Sequence, residues 1–571
     1  MSIRKSGNRP RHLAFVAVGC FALLLFNLFR MQVLRYDHYR QLSEKNRIRV
    51  IYLEGPRGRV VDRHGQPLAE NRLSFNCSVI PREASGRIAQ SCRIVGPVLG
   101  EEPAALERRF HKRKAGAFNT VILAEDITPS QAMALEERLD SLPGFIIETR
   151  PQRQYPLKEA AAHLVGYIGP LNTEEADTLE LYDYSPADWV GRDGVERNYE
   201  GYLRGRSGGL QIEVNNRGQI VKALGVKEPE EGKGIQLTVD AGLQEFAQSA
   251  LGGQKGAVAV MDLKDGGLLC VNSAPSFDPN LFASTTGRRG VSKFLTDERA
   301  PMVDRAIRSQ CPPGSIYKIV TALAALKRKK INERSSVDCK GFVELGGNRF
   351  HCWKAEGHGP QSMEEAFAHS CNAYFYTVGV AAGLDALLDR ATELGFGERT
   401  GVDLPGEKKG FLPSRDWKRR LFHQPWYDGE TANLSIGQGY LQVTPMQALV
   451  MVSAAARNGE VLTPHVIDRV NGVKVGERSA RTVPAEPSHW RAVRRGLEAV
   501  VNSDSGTGRL ARLEGVRVAG KTGTAQSGTD KTHAWFVGYA PAEDPKVAMV
   551  VFLEHGGRGG VNAAGVAVKV F

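Results

Sequence analysis

Three short groups of residues in the second half of the chain combine a hydroxyl with a cation. The first is Cys311-Pro312-Pro313-Gly314-Ser315-Ile316-Tyr317-Lys318. A serine hydroxyl is a weak nucleophile until a base takes its proton, and a lysine desolvated near other cations is neutral enough to be that base. Ser315 and Lys318 are three residues apart, hence neighbours on one face of a helical turn. Pro-Pro-Gly reads as the start of that helix. Ile316, Ile319, Val320, Leu323 and Ala324 are its predicted apolar face, and Lys327 to Lys330 lie at the C-terminal end, where cations are favoured. The free N–H groups of such a helix start can hold an oxyanion. Ser370-Cys371-Asn372 and Lys521-Thr522-Gly523-Thr524 follow in order. A Ser-x-x-Lys pair alone arises by chance in a chain this long, but the Pro-Pro-Gly context and the ordered triplet of motifs make the set specific.

The elements expected to position these groups begin near Gly234. Leu243, Phe246, Ala247, Ala250 and Leu251 recur at helical spacing, and Gly252-Gly253 ends the pattern. The runs AVAVMDL and LLCVNS flank Lys264-Asp265-Gly266-Gly267 and predict a β-hairpin. After a long helical region come three strand-like runs, VRVAGKTGTA, HAWFVGYA and KVAMVVFLEH, and an apolar tail from Val561 to Phe571. Helices inserted between two strand groups of one mostly antiparallel sheet make an α+β domain. Before Gly234 the chain is mixed and rich in arginine, and the basic run Arg108 to Lys114 reads as the solvated face of a helix in a small lobe.

At the N-terminus, Leu13 to Phe29 is 17 residues without a charge, extendable to Leu34 if Arg30 snorkels. A bilayer core needs about 20 helical residues. Arg4, Lys5, Arg9 and Arg11 precede the run, which predicts a cytoplasmic N-terminus and an extracytoplasmic remainder. No small-x-small cleavage site follows, so a retained anchor is favoured over a cleaved signal peptide.

Cys339, Cys352, His358 and Cys371 are separated by 13, 6 and 13 residues. A Cys₃His set suits a closed tetrahedral Zn²⁺ site. A Cys339–Cys352 disulfide with a buried free Cys371 is the alternative outside the cytoplasm. The chain has 571 residues, 42% hydrophobic and 24% charged, which excludes wholesale disorder, and its eight cysteines are too few for a disulfide scaffold. A net charge of +12 fits an anionic surface or polymer as well as nucleic acid.

The ordered motifs resemble those of serine β-lactamases and penicillin-binding proteins. The match to class B penicillin-binding proteins runs from the anchor to the last strand. It includes Arg57-Gly58-Arg59-Val60-Val61-Asp62-Arg63-His64-Gly65 with Leu68-Ala69, Gly191-Arg192-Asp193-Gly194-Val195-Glu196, Ser276-Phe277-Asp278-Pro279-Asn280, and Gly437-Gln438-Gly439 with Thr444-Pro445. Arg153-Gln154-Tyr155-Pro156, His163-Leu164-Val165-Gly166-Tyr167 and the Cys/His cluster resemble the elongation-type penicillin-binding protein 2, some members of which bind zinc there; a division-type enzyme is the alternative.

The resemblance implies a cytoplasmic tail (1–12), an anchor (13–34), a pedestal (35–235) with a head lobe near 73–150, and a penicillin-binding, β-lactamase-like transpeptidase domain (236–571). It implies a peptidoglycan D,D-transpeptidase that needs no catalytic cofactor and is blocked by β-lactams. Ser315 would be the nucleophile, Lys318 the base, Ser370 a proton shuttle, Asn372 a holder of the substrate amide and Lys521 a catalytic source of positive potential, with Thr522, Gly523 and Thr524 the substrate-binding strand whose threonines bind the terminal carboxylate. It also implies the cytoplasmic membrane as the location, and a RodA-like SEDS glycosyltransferase and other elongation proteins as partners, with no role for nucleic acid. A β-lactamase would not need the pedestal, a penicillin-sensing receptor would carry further spans or an effector, and a non-catalytic scaffold would have damaged motifs.

Overall fold

The structure is a computed structural model that describes residues 9–40, 48–84, 86–113, 120–172, 174–175, 184, 188–214, 220–284, 290–332, 335–476, 480–528 and 530–571. Arg4, Lys5 and Lys114 therefore lie outside the described residues. Helix α1 (Arg9–Phe29) continues through a wider turn, Arg30–Leu34, and His12–Leu34 is the one described helix long and apolar enough to cross a membrane. Among the described residues nothing buries its side chains, as a lipid-facing helix requires.

Beyond the anchor, the strands Ile48–Leu53, Gly208–Val214 and Ile220–Lys227 form a three-stranded antiparallel sheet. The 13-residue strand Pro67–Val79 pairs with both Phe145–Gln154 and Val121–Ile127. Helices Ile88–Leu99 and Pro103–Arg113 cover that end, and Cys77, Val79, Val95, Leu106, Phe110 and Leu123 form a separate small core there. On the second of these helices Leu106 and Phe110 point inward while Arg108, His111, Lys112 and Arg113 stay exposed. The basic run is a solvated face.

The expected division at 235/236 cuts through a strand. Ile235–Leu237 pairs in parallel with Val60–Val61 on one side and antiparallel with Ile467–Val470 on the other. The apolar core is likewise continuous, joining Val60, Leu68, Leu164 and Leu203 to Leu237 and Val258. An ion network reinforces the pedestal. Arg57 donates to Glu196 at 2.6 Å and to Glu200 at 2.7 Å, and Arg153 donates to the other Glu196 oxygen at 2.7 Å. Glu196 is fully buried, yet the two guanidinium groups hold its carboxyl below the usual range against the opposing cost of burial.

The catalytic-type domain is built on strands β1 (Gly256–Asp262), β2 (Leu268–Ala274), β3 (Ala519–Gln526), β4 (Thr532–Ala540) and β5 (Val547–Leu553), in the antiparallel order β2-β1-β5-β4-β3. Its helices include α2 (Ala241–Ala250), α3 (Lys318–Lys327), α4 (Asn372–Ala382), α5 (Arg415–Phe422), α6 (Pro445–Ala456), α7 (Pro487–Asn502) and α8 (Ala564–Val570). The hairpin and the three closing strands lie where the sequence places them.

Two helices differ from their sequence patterns. Phe246 on α2 is 51% exposed, and Gln244 is buried instead. Gln244 bonds the Ala160 and Val271 carbonyls at 2.7 Å each and accepts from the Val271 N–H at 2.9 Å. With its amide satisfied, Gln244 can enter the core and turn Phe246 outward. Helix α3 has no polar face: every residue from Lys318 to Leu326 is buried, because other helices surround it.

Replacing Glu196 with alanine leaves two largely buried guanidinium groups short of their shared counter-charge. The Glu196→Ala protein is expected to lose about 3–5 kcal/mol of stability, measurable by denaturant unfolding against the wild type.

Candidate active site

Ser315 sits on a tight 3₁₀ turn, Gly314–Tyr317, that feeds directly into α3. It is partly exposed, while Lys318, one turn on, is fully buried. The Lys318 Nζ lies 2.8 Å from the Ser370 carbonyl oxygen, 3.2 Å from Ser370 Oγ and 2.8 Å from Asn372 Oδ1. The Lys521 Nζ lies 3.0 Å from the same Ser370 Oγ and 3.0 Å from the Thr522 carbonyl oxygen. The three motifs, scattered over 207 positions from Ser315 to Lys521, thus converge on the Ser370 hydroxyl.

Burial dominates the electrostatics. It pulls Lys318 from its ordinary value down to about 7, against smaller opposing effects of Cys371 and Cys352. It pushes Lys521 well down too, and the charge of Lys318 adds to that shift. A neutral amine at Lys318 is the state that can accept a proton from a serine hydroxyl.

Ser370 stands on the turn between helix Met363–Ala368 and α4, with φ +53°. A non-glycine residue in this left-handed region is held there at a cost of about 1–3 kcal/mol. Hydrogen bonds from the Ser370 N–H to Phe367 at 3.1 Å and from the Cys371 N–H to Ala366 at 2.9 Å enforce it. Asn372 opens α4, and the Cys371 sulfur caps that helix by accepting from the Tyr374 N–H at 3.5 Å.

Strand β3 carries Lys521 to Thr524 along the edge of the sheet, paired only with β4 among the described residues. Its free edge faces the Gly314–Tyr317 turn, and Thr524 is exposed. An extended peptide can add there as a strand. The approach is close because of Gly314 (φ +57°), whose missing Cβ would lie 3.0 Å from the Thr524 carbonyl oxygen. Behind the turn stands Gly437 (φ +73°); a Cβ there would lie 2.2 Å from the Gly314 oxygen, and its own carbonyl accepts from the Gly314 N–H at 2.9 Å.

Several supporting residues carry no sequence signal of their own. The Trp535 indole on β4 donates to the Pro312 carbonyl at 3.0 Å. Thr507 bonds the Thr522 hydroxyl at 3.1 Å and its N–H donates to Ala368 at 3.0 Å, linking β3 to the Ser370 turn. The Gly559 N–H donates to Thr524 Oγ1 at 3.1 Å. Such pairings join distant segments, and only an isolated Gly-Thr-Gly at 506–508 hints at one of them.

The ligand atoms of Cys339, Cys352, His358 and Cys371 all lie within 4.8 Å of one another. The His358 Nδ1 is 3.5 Å from the Cys339 sulfur and 3.6 Å from the Cys352 sulfur. Ligands on a tetrahedral zinc at about 2.0–2.3 Å stand roughly 3.5 Å apart, so the donor set and its spacing fit that ion. The hydrogen bond between the Cys371 and Cys352 sulfurs holds Cys352 below its ordinary value and pushes Cys371 up, so the two sulfurs share one proton. All four are free cysteine or histidine side chains, with no Cys339–Cys352 disulfide.

Two family models cover the chain, the penicillin binding protein transpeptidase domain over 256–571 and the penicillin-binding protein dimerisation domain over 52–237. Peptidoglycan D,D-transpeptidase MrdA of Haemophilus influenzae is 33% identical over all of this chain and 95% of its own length. The chain belongs to the penicillin-binding protein 2 (MrdA) family of peptidoglycan D,D-transpeptidases. The Escherichia coli MrdA is 30% identical over 94% of this chain and 89% of its own. Penicillin-binding protein 2 of Helicobacter pylori, solved in complex with MreC, superposes with a TM-score of 0.82 at 28% identity, covering 92% of this chain and 98% of that one. A chain from a peptidoglycan synthase complex gives 0.77 at 31% identity over 99% and 98%. This penicillin-binding protein is accordingly an elongation-type transpeptidase that cross-links peptidoglycan.

With Lys318 held at about 7, protonation below that pH removes its neutral, proton-accepting form. Acylation by penicillin is expected to fall about tenfold per pH unit on the acid side, and the step should vanish in Lys318→Ala; stopped-flow acylation across pH 5–9 measures both.

Proposed function

We propose that Ser315 is the acylated nucleophile, on the strength of one observation: Lys318, one helical turn from Ser315, has its Nζ 3.2 Å from Ser370 Oγ, which in turn lies 3.0 Å from Lys521 Nζ. Neutral Lys318 takes the Ser315 proton as Oγ attacks the carbonyl carbon between the last two D-alanines of a stem peptide. The resulting oxyanion is met by the N–H groups of Ser315 and of β3 at Thr524. The proton passes from Lys318 through Ser370 Oγ to the leaving D-alanine amine as the C–N bond breaks. Asn372 holds the substrate amide, and Thr522, Thr524 and the potential of Lys521 bind the terminal carboxylate. The amine of a neighbouring stem peptide then attacks the acyl-enzyme, gives its proton back along the same path, and releases Ser315. A β-lactam enters by the same attack and leaves a stable acyl group on Ser315.

Two further readings belong with this one. Zn²⁺ held by Cys339, Cys352, His358 and Cys371 would lock the Ser370–Asn372 turn, because Cys371 lies between those two residues; the spacing of the four donors supports it. The metal takes no part in the chemistry. The basic residues before Leu13 support a cytoplasmic N-terminus with the remainder outside. In that orientation, a RodA-like glycosyltransferase would meet the anchor and pedestal, and an MreC-like protein would be a further partner; the H. pylori relative was solved with MreC.

Fluorescent penicillin should label the full-length wild type stably and leave Ser315→Ala unlabelled. A labelled Ser315→Ala protein, or rapid turnover of the adduct, would refute this mechanism. Protein purified without chelator should contain about one zinc per chain, and Cys339→Ser should lose both the metal and much of its acylation rate. Absence of zinc together with two fewer titratable thiols would establish the disulfide instead.

A further inference from the structure

Beside the nucleophile turn is an exposed aromatic surface that acylation does not use. Trp417 and Phe422 on α5 meet Tyr440, with ring centres 4.9 Å apart for Trp417–Tyr440, 5.4 Å for Trp417–Phe422 and 5.5 Å for Phe422–Tyr440. Phe422 remains 42% and Tyr440 38% exposed, and aromatic rings gathered at a surface mark an interaction site more often than scattered ones do. Next to the rings, a cavity of about 190 Å³ is lined by Trp426, Asn433, Gln438 and Tyr440 among others. Among the described residues, neither the Asn433 nor the Gln438 side-chain amide has a hydrogen-bond partner.

The position of this surface narrows what can reach it. Gly437 touches Gly314, while Gln442 pairs with Phe411 and Val443 with Cys311. The segment from 437 to 443 therefore runs along the nucleophile loop. Tyr440 is three residues from Gly437, at most about 11 Å along the chain, and Phe422 lies beyond it. A stem peptide of four or five extended residues spans about 13–17 Å. With its terminal D-alanines on β3 at Ser315, the far end, where the peptide joins sugar, can fall on these rings.

We propose that this surface holds the glycan strand that carries the acyl-donor peptide. The apolar C–H faces of amino-sugar rings would lie on Tyr440, Phe422 and Trp417, and an acetamido group would enter the cavity to bond Asn433 and Gln438. A small cavity with an aromatic wall and two uncommitted amides matches a neutral, N-acylated sugar. The inference rests on the transpeptidase mechanism above and gives the glycan arm of its donor a binding surface.

The test uses full-length protein in detergent and two donors, uncross-linked glycan strands bearing pentapeptides and the free pentapeptide released from them. In the Phe422→Ala/Tyr440→Ala double variant, the ratio of kcat/KM for strands to that for free pentapeptide should fall about tenfold. Asn433→Ala should lower it less, and Phe422→Tyr/Tyr440→Trp, which keeps both rings, should restore it. An unchanged ratio overturns the proposal. So does equal loss on both donors: with penicillin acylation intact it assigns the surface to the peptide, and with acylation also lost it makes the rings mere packing for α5. Wild type that penicillin does not acylate refutes the mechanism itself, a failure separate from any of these.

Discussion

Two lysines share one serine hydroxyl in a pocket from which water is excluded, and much of the catalytic domain is arranged around that crowding. Two ammonium groups this close together, both fully buried, repel strongly in a medium of low polarizability. The pocket therefore selects a state with fewer protons than free lysines would carry. That selection leaves an amine able to accept a proton at neutral pH. It depends on α3 having no solvent-facing side, since any polar face would admit water and return Lys318 to its ordinary value. The unbroken burial of α3 is thus a requirement of the chemistry as much as of packing.

The rest of the site is a problem of bringing backbones together. The Ser315 turn, the edge of β3, the Gly437 loop and the Gly559 loop meet at distances that leave no room for a side chain at Gly437 and crowd one at Gly314. Glycine permits the approach, and the Trp535 and Thr507 hydrogen bonds hold it. Ser370 is kept in a left-handed conformation by the helices on either side, and the Cys/His cluster grips the residue next to it. Rigid support from several directions is what places a hydroxyl to within hydrogen-bond reach of two separate amines.

Much of this was legible in the sequence because the reacting groups come in short local clusters. Ser315 with Lys318, Ser370 with Asn372, and Lys521 with Thr522 to Thr524 each announce themselves within a few positions, and strands β1 to β5 follow from their apolar runs. What stayed hidden depends on partners far along the chain. Thr507, Trp535 and Gly559 matter only through residues tens or hundreds of positions away. Phe246 was misplaced because the pattern counts hydrophobicity and has no knowledge that Gln244 finds three partners. The face assigned to α3 was too narrow for a similar reason: small residues and a threonine look tolerant of solvent until other helices enclose them. The shared sheet at Ile235–Leu237 was hidden as well, since three residues give no clue that they are claimed from both sides.

That short strand has a mechanical meaning. It hydrogen-bonds the signature segment after the anchor on one flank and a strand from within the catalytic domain on the other. There is no slack tether at this point to absorb a pull. A displacement of Val60–Val61 passes sideways through Ile235–Leu237 and arrives at Ile467–Val470 inside the enzyme. The pedestal is less a stalk than a lever arm fixed to the machine it carries.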